Sequence, residues 1–245
     1  MALRLDDIGF GNLMLYQETD AFCYGIDAVL LAAFAAETAA KKRADCRIMD
    51  LGTGNGVVPL ILSHKTEAAY IGGIELQEAA AALAEKSAAY NGLSDRLHFF
   101  CSNVRDFDAG AMAETFDVVT ANPPYTAGSC GMESQNRAKA LARHELAGSL
   151  EDFVSLAARL LRDKGSFYMV HRPARMADIF ALCRKYRLEP KELRLVSGKP
   201  MERPNILLIH CCKNGKPEMR IAPQMHVHEE NGDYNREILT IYEKN

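Results

Sequence analysis

Short apolar runs alternate with longer Ala- and Leu-rich runs along most of the chain. The short runs predict strands at 47–51, 70–75, 97–101, 116–121 and 166–171. The longer runs predict helices at 57–64, 78–90 and 150–161, and Pro173 can open a further helix that runs through Tyr186. Strands that alternate with helices imply right-handed βαβ units, and therefore a mostly parallel sheet with helices on both faces.

The sheet is predicted to end in an antiparallel pair. Two β-like runs, 188–196 and 205–212, are joined by a turn-rich segment at 197–204. The fold class is therefore α/β, with a doubly wound, mostly parallel seven-stranded sheet and an antiparallel C-terminal strand pair.

No linker or composition shift divides the chain, so we expect one domain over residues 1–245. It comprises a helical lead-in (1–46), a core (47–212) and a C-terminal extension (213–245). In the lead-in, Asp27 fits the N-cap of a helix over 28–40. In the extension, a turn signal at 231–233 predicts a small hairpin followed by a closing helix.

Composition narrows the class of protein. With 245 residues, 48% hydrophobic and 25% charged, the chain is typical of a soluble globular protein rather than a disordered, collagenous or coiled-coil one. The longest apolar run, 28–36, is about half of what a bilayer-spanning helix needs, and residues 1–11 lack the features of a signal peptide. We therefore expect a cytoplasmic protein with no membrane partner. The seven cysteines are odd in number and include no Cys-x-x-Cys pair, so we predict neither a disulfide framework nor a metal site.

Charge is unevenly distributed along the chain. The net charge is −3, but residues 159–203 contain twelve Lys and Arg against five Asp and Glu. This segregation is compatible with a basic binding face, although charged helix surfaces often serve solubility alone.

A glycine-rich loop follows the first core strand. It reads Asp50-Leu-Gly52-Thr53-Gly54-Asn-Gly56 and opens a predicted helix, where free N–H groups and missing Cβ atoms let a ligand approach the backbone. Glu75 ends the next strand, where its carboxylate can accept hydrogen bonds from both hydroxyls of a ribose. The order of strand, loop, strand and acid predicts a nucleoside-cofactor pocket, against the alternative of a purely structural turn. Both dinucleotides and S-adenosylmethionine use such loops.

The element Asn122-Pro123-Pro124-Tyr125 follows the fourth core strand on the same sheet edge. Each proline fixes its φ angle and favours an extended preceding residue, so the element presents hydrogen-bond acceptors rigidly. The Asn122 side-chain oxygen and the Pro123 carbonyl can accept the two protons of a planar amino group, while the Tyr125 ring stacks on the attached heterocycle. Polarising and aligning such an amine favours its attack on a methyl sulfonium. A purely structural turn is the alternative.

These motifs carry a resemblance to known enzymes. The Gly-x-Gly-x-Gly loop with Asp50 resembles the first motif of class I S-adenosylmethionine-dependent methyltransferases, whose fold is Rossmann-like. Asn-Pro-Pro-Tyr resembles the signature of amino-methyltransferases that act on adenine N6, guanine N2 or glutamine N5. The segment 22–31 resembles one that closes over the cofactor in bacterial RNA methyltransferases. From about Gln17 to the C-terminus, the chain is similar to the tRNA1(Val) adenine-N6-methyltransferase family.

The resemblance implies S-adenosyl-L-methionine as cofactor and an adenine in RNA as substrate, with adenosine 37 in the anticodon loop of a valine tRNA as the expected target. It implies that Asn122, Pro123, Pro124 and Tyr125 hold the adenine. The residues implied around the cofactor are Tyr24, Gly25, Asp27, Asp50, Gly52, Thr53, Gly54, Gly56, Glu75, Leu76, Asn103, Val104 and Asn122. Asn103 stands where the family often has an acid that faces the adenine amino group of the cofactor.

Basic residues near the base pocket suit phosphate contacts, which position nucleic acid without reading its sequence. The candidates for RNA contact are Arg137, Lys139, Arg143, His144 and Arg172. Guanine N2 in ribosomal RNA, adenine N6 in DNA and glutamine N5 in protein are the alternative acceptors of the same clamp. A non-catalytic scaffold that binds cofactor or RNA is the alternative from another class.

Overall fold

The computed structural model describes residues 2–19, 24–37, 44–124 and 148–244. It begins with an antiparallel hairpin of β1 (Leu3–Asp7) and β2 (Met14–Glu18). The main sheet contains β3 (Arg47–Leu51), β4 (Tyr70–Glu75), β5 (Leu97–Cys101), β6 (Phe116–Ala121), β7 (Leu161–His171), β8 (Leu188–Ser197) and β9 (Ile206–Lys213). Two short strands, β10 (Arg220–Ile221) and β11 (Met225–His226), pair with β8. The helices are α1 (Ile26–Ala35), α2 (Val57–Lys65), α3 (Glu78–Tyr90), α4 (Leu150–Leu160), α5 (Met176–Lys185) and α6 (Arg236–Ile241).

The strand order of the main sheet is β10-β8-β9-β7-β6-β3-β4-β5. The five strands from β5 to β7 are mutually parallel, whereas β9 runs antiparallel to both of its neighbours, β7 and β8. The chain order reverses between β3 and β6, and the crevice outside the carboxyl ends of such strands is the usual ligand site of an open α/β sheet. All seven predicted core strands and their antiparallel ending are present.

Two hydrophobic clusters cover the two faces of the sheet. Ile48 and Val118 point into a cluster with α1 and α2, whereas their chain neighbours Met49 and Val119 point into a cluster with α4 and α5. This alternation follows from the two-residue period of a strand. No helix in the described ranges is long and apolar enough to cross a bilayer.

The lead-in was predicted to be helical, but the structure corrects this for its first part. Residues 3–18 form a β hairpin that docks on α3. The Met14 amide donates to Asn91 Oδ1 at 2.9 Å, and the Tyr16 amide donates to Ser87 Oγ at 3.0 Å. Leu15 and Gln17 alternate with these positions and are buried. Because side chains of α3 satisfy the backbone of β2, this element depends on a tertiary contact.

Other boundaries also differ. Gly25, not Asp27, is the N-cap of α1, and Asp27 lies in the first turn, where a carboxylate interacts favourably with the helix dipole. Helix α1 ends at Ala35, and residues 38–40 of the predicted helix lie outside the described residues. Pro173 opens a 3₁₀ turn that leads into α5, and β7 starts at Leu161 instead of Ser166. The described main sheet has nine strands rather than seven because β10 and β11 add to it. The predicted C-terminal hairpin is one antiparallel bridge, His228 to Tyr234, followed by α6.

Candidate active site

The glycine loop connects β3 to α2 at the carboxyl edge of the sheet. Gly52, Gly54 and Gly56 have φ values of 69°, 58° and 84°, a left-handed region that favours glycine. The amides of Gly52 and Thr53 both donate to the Ile74 carbonyl, at 2.9 and 3.0 Å. The loop is therefore fixed to the end of the neighbouring strand β4.

Glu75 lies beside the glycine loop and also holds it in place through a hydrogen bond. Its side chain is only 7% exposed, and its Oε2 accepts the Gly54 amide at 2.9 Å while its Oε1 accepts the Gln77 amide at 2.9 Å. A carboxylate offers about four acceptor positions, so both oxygens can still accept a ribose hydroxyl. The sequence predicted the acid but not its bond to the loop, which depends on the register of β3 and β4.

Asp50 lies under the loop and is 1% exposed. Thr120 stands directly opposite on β6 and donates its hydroxyl to Asp50 Oδ1 at 2.6 Å. Burial raises the pKa of Asp50 to about 7; the bond from Thr120 and the nearby Thr53 hydroxyl oppose this rise, and the negative charge of Glu75 adds to it. A carboxyl group with such a pKa takes up or releases a proton near neutrality and can pair with a cationic ligand group.

Two features of the loop fit a bound nucleoside cofactor. The Thr53 hydroxyl is buried, and although it lies near Asp50 it makes no hydrogen bond of good geometry in the described residues. A Cβ built on Gly54 would meet nothing within 4 Å, so the loop leaves open space there. Gly73 supports this arrangement, because a Cβ on it would lie 2.8 Å from Thr53 Cγ2. The Gly-Gly pair inside β4 is a sequence feature from which this close approach could have been predicted, although it was not among the motifs identified from the sequence.

Asn103 and Val104 follow β5 at the same sheet edge. Asn103 is half-buried, its Oδ1 accepts the Arg105 amide at 3.0 Å, and Val104 is buried. Gly148 packs against both, since a Cβ on it would lie 2.8 Å from Val104 Cγ2 and 3.6 Å from Asn103 Oδ1. Leu76 lies half-buried at the end of β4, and its carbonyl is 3.7 Å from Cys101 Sγ. The two strand ends therefore place an amide and two apolar side chains beside Glu75.

Tyr24, Gly25 and Asp27 lie at the start of α1 and are half-buried. Tyr24 packs against the cluster that includes α1 and α2. It also lies near Tyr242, whose pKa is raised to about 12 by burial and, to a lesser extent, by Tyr24 and Tyr234. Their contact with the cofactor stays a prediction.

Asn122, Pro123 and Pro124 emerge from the end of β6, between the end of β3 and the end of β7. Asn122 is half-buried, Pro123 is buried and Pro124 is exposed. The clamp therefore starts beside the glycine loop, at the point where the strand order reverses. Tyr125 and the predicted RNA contacts Arg137, Lys139, Arg143 and His144 lie outside the described residues.

His171 and Arg172 end β7, next to the clamp. Burial lowers the pKa of His171 to about 4, and the nearby cations Arg175 and Arg172 lower it further, so the ring is neutral at pH 7. Its Nδ1 accepts the Arg172 amide at 2.8 Å, which leaves the proton on Nε2. The Arg172 guanidinium donates to the Asn205 carbonyl at 2.9 Å, so this predicted RNA contact also fixes the start of β9.

A family model described as the methyltransferase small domain matches residues 25–184. A tRNA1(Val) (adenine(37)-N6)-methyltransferase of Porphyromonas gingivalis is 31% identical over 205 residues, covering 83% of this chain and 79% of the relative. One from Bacteroides thetaiotaomicron is 32% identical over 202 residues, covering 82% and 81%. The chain belongs to the tRNA1(Val) (adenine(37)-N6)-methyltransferase family.

Solved methyltransferases share the fold of this family member. A predicted O-methyltransferase from Agrobacterium tumefaciens has a TM-score of 0.71 and 24% identity, covering 89% of this chain and 95% of that one. TYW2 of P. horikoshii, solved in complex with MeSAdo, has a TM-score of 0.60 and 11% identity, covering 87% and 72%. At such identities the likeness shows the fold alone, and it confirms the Rossmann-like doubly wound class.

Membership of the family makes this chain an S-adenosylmethionine-dependent N-methyltransferase. As a member of this family the chain uses S-adenosyl-L-methionine as its cofactor, and not a dinucleotide, the other ligand that the glycine loop allowed. The loop geometry, the buried Thr53 hydroxyl and the open space at Gly54 fit this group.

Proposed function

We propose that the protein methylates N6 of adenosine 37 in a valine tRNA. The observation that carries this proposal is the position of Asn122 and Pro123 at the end of β6, directly beside the glycine loop on β3. The names of the relatives support the choice of tRNA and adenine. A loop base is also the least costly kind to extrude, because it is not held in a duplex. The enzyme would act in the cytoplasm, where tRNA is modified.

Different residues of this chain would bind the cofactor and the adenine. Glu75 would accept the ribose hydroxyls of the cofactor, and Asp50 would pair with its amino group. When bound, S-adenosylmethionine supplies an electrophilic methyl group on a positively charged sulfur. The Asn122 oxygen and the Pro123 carbonyl would accept the two N6 protons of adenine, which aligns the nitrogen with that methyl group.

No strong base is needed for this reaction. The nitrogen forms its bond to the methyl carbon as the carbon–sulfur bond breaks, and the extra proton on nitrogen then leaves to water. Acceptors that are already in place favour the positive charge that develops on nitrogen, because they require no reorganisation. His171 is neutral at pH 7 and is a hydrogen-bond donor at Nε2, so it would not remove this proton.

The test is transfer of labelled methyl from S-adenosylmethionine to unmodified valine tRNA, followed by nucleoside mass analysis. We expect N6-methyladenosine, and we expect no label in a matched tRNA whose adenosine 37 is replaced by guanosine. Label in 2-methylguanosine, in DNA or in protein glutamine would show that the methyl acceptor is that group and not N6 of adenosine 37. Cofactor binding without transfer to any acceptor would support a scaffold instead.

A further inference from the structure

Most cations of the basic segment 159–203 already have partners within the described part of the chain. Five form ion pairs with carboxylates: Arg162, Arg175, Arg184, Lys185 and Arg194. Four donate to backbone carbonyls: Arg159, Lys164, Arg172 and Lys191. Only Arg187, Lys199 and Arg203 have side chains without such a partner among the described residues. The cations of the segment whose side chains are both exposed and available to a ligand are therefore these three.

Two of the three lie at the edge of the sheet that carries the candidate active site. Lys199 and Arg203 are in the β8–β9 loop (198–205), whereas Arg187 lies before β8, at the opposite edge. The pairing of His171 with Leu207 and of Val196 with Ile206 places this loop beside the end of β7. It lies two to three strand spacings from the end of β6, which is roughly 10–14 Å. A few nucleotides of single-stranded RNA can span this distance.

The β8–β9 loop is held in one shape by several hydrogen bonds. The Ser197 hydroxyl donates to the Lys199 carbonyl at 2.8 Å, and Glu202 accepts the Lys199 amide at 3.2 Å. Residues after β11 hold its base, since the His228 amide donates to the Gly198 carbonyl at 2.9 Å. Glu202 is the one carboxylate of the loop, and its Oε2 faces the backbone at Gly198 and Lys199.

Nothing in the described part of the chain covers the tip of this loop. Met201 is 93% exposed and stands between the two cations. A fixed, uncovered loop with two unpaired cations beside a base pocket matches what phosphate recognition requires, because such contacts position nucleic acid without reading sequence. We propose that the β8–β9 loop binds the sugar–phosphate backbone of the RNA substrate next to the target base, through Lys199 and Arg203. This inference rests on the proposed function for the identity of the RNA.

The test compares the charge reversals Lys199→Glu and Arg203→Glu with Lys216→Glu. Lys216 is an exposed lysine that follows β9 at the opposite edge, and thus it is the matched control. Affinity for labelled unmodified valine tRNA is measured by anisotropy over a range of salt concentrations. The KM and kcat of methyl transfer are measured on the same variants, together with cofactor affinity by calorimetry.

We expect Lys199→Glu and Arg203→Glu each to weaken tRNA affinity and raise KM by about tenfold, and to reduce the salt slope of log K by about 1. The kcat, cofactor affinity and melting temperature should stay close to those of the wild type, and Lys216→Glu should behave like the wild type. Arg203→Lys should retain most of the affinity, since a point charge still contacts phosphate.

Wild-type affinity in both loop variants, or an equal loss in Lys216→Glu, would overturn the inference. A wild-type enzyme that transfers no methyl to tRNA would overturn the proposed function instead. In that case the binding measurement still decides the role of the loop: a loss of RNA affinity confined to its two variants would support it, and unchanged affinity would refute it.

Discussion

Asp50 is a buried acid whose protonation is linked to cofactor binding. Its pKa of about 7, which results from burial, means that the group is protonated in mildly acidic solution. To pair with the cationic amino group of the cofactor it must first release that proton. As the pH increases towards 7, the affinity for the cofactor should therefore rise by up to about tenfold per pH unit. Above pH 7 this affinity should stay constant.

Calorimetry between pH 5.5 and 8.5 measures this dependence for the wild type and for Asp50→Asn. The asparagine side chain does not titrate, so its affinity should be weaker at pH 8 and nearly independent of pH. Parallel pH curves for the two proteins would show that Asp50 is not the group that titrates.

Asn122 is expected to contribute more to the alignment of the transferring nitrogen than to the affinity for the cofactor it lies beside. Its replacement by Ala should lower kcat for methyl transfer by about 10²–10³-fold, as the loss of one hydrogen-bonding group that stabilises a transition state does. Cofactor affinity should change by a few-fold at most, because Glu75 and the glycine loop remain. Asn122→Asp keeps an acceptor oxygen and should retain more activity than the alanine variant. Full activity in Asn122→Ala would rule out the clamp.

The sequence predicted the residues whose type alone indicates a role. Asp50, Glu75 and the three glycines follow from a motif in its strand context, and the structure places them together. Thr120 was not foreseen, because its bond to Asp50 depends on which β6 residue faces Asp50 across two strands distant in sequence. The second role of Glu75, as acceptor of the Gly54 amide, was missed for the same reason.

At the level of elements, two glycines of the loop are required for different reasons. Gly54 leaves space for a ligand, whereas Gly56 packs closely against neighbouring side chains. A Cβ on Gly56 would lie 2.9 Å from Ala84 Cβ and 3.1 Å from Phe99 Cζ, whereas a Cβ on Gly54 would meet nothing within 4 Å. Gly56→Ala should destabilise the fold by about 2–4 kcal/mol, from backbone strain and overpacking together. Gly54→Ala should cost only about 1 kcal/mol of strain but should weaken cofactor binding.

Thermal unfolding and calorimetry on this pair separate the two effects. Each variant serves as the control for the other, because both glycines have a positive φ. Equal stability losses, or unchanged cofactor affinity in Gly54→Ala, would contradict this division of roles.

The core strands were predicted nearly to the residue because each is a short apolar run bounded by turn signals. Strand β7 was predicted five residues short, since the polar and exposed stretch 162–164 gives no strand pattern. The N-cap of α1 was misassigned because Asp27 is a good capping type, yet the helix starts earlier at Ile26 behind Gly25. Local sequence therefore predicts that an element is present, whereas tertiary contacts determine the residues at which it begins and ends.

At the scale of the whole molecule, contacts between distant segments connect the N-terminal hairpin to the cofactor loop. Asn91, the C-cap of α3, accepts the Met14 amide and donates to the Met14 carbonyl at 2.7 Å. On the same hairpin, Gln17 accepts a hydrogen bond from Asn55 of the glycine loop at 3.5 Å and donates to Asp6 at 2.5 Å. Loosening the hairpin should therefore disturb the loop.

We expect Asn91→Ala to lower the free energy of unfolding by about 1–3 kcal/mol, since it leaves the half-buried Met14 amide and carbonyl of β2 without their side-chain partner. The Met14 amide should lose hydrogen-exchange protection, and cofactor affinity should fall. Glu85→Ala, at an exposed position of the same helix, is the control and should change neither quantity. Retained protection at Met14 would show that α3 does not hold the hairpin.

The charge distribution of the folded molecule could be predicted only in part from the sequence. Sequence counting located a basic segment at 159–203, but it could not show that Asp117, Glu151 and Glu237, all outside that segment, neutralise three of its cations. Only the fold shows which positive charges remain available, and at which edge of the sheet.

The antiparallel insertion of β9 has a consequence for how this enzyme can diversify. Because β8 and β9 are adjacent and run in opposite directions, the 198–205 segment leaves and re-enters the sheet at neighbouring points. A segment closed in this way can be lengthened, shortened or exchanged at little entropic cost. The strands that hold Asp50 and Glu75 lie beyond β7 and β6 and would be untouched. If this segment binds RNA as proposed, its exchange between relatives is a route to differently positioned RNA substrates on an unchanged methyl-donor half.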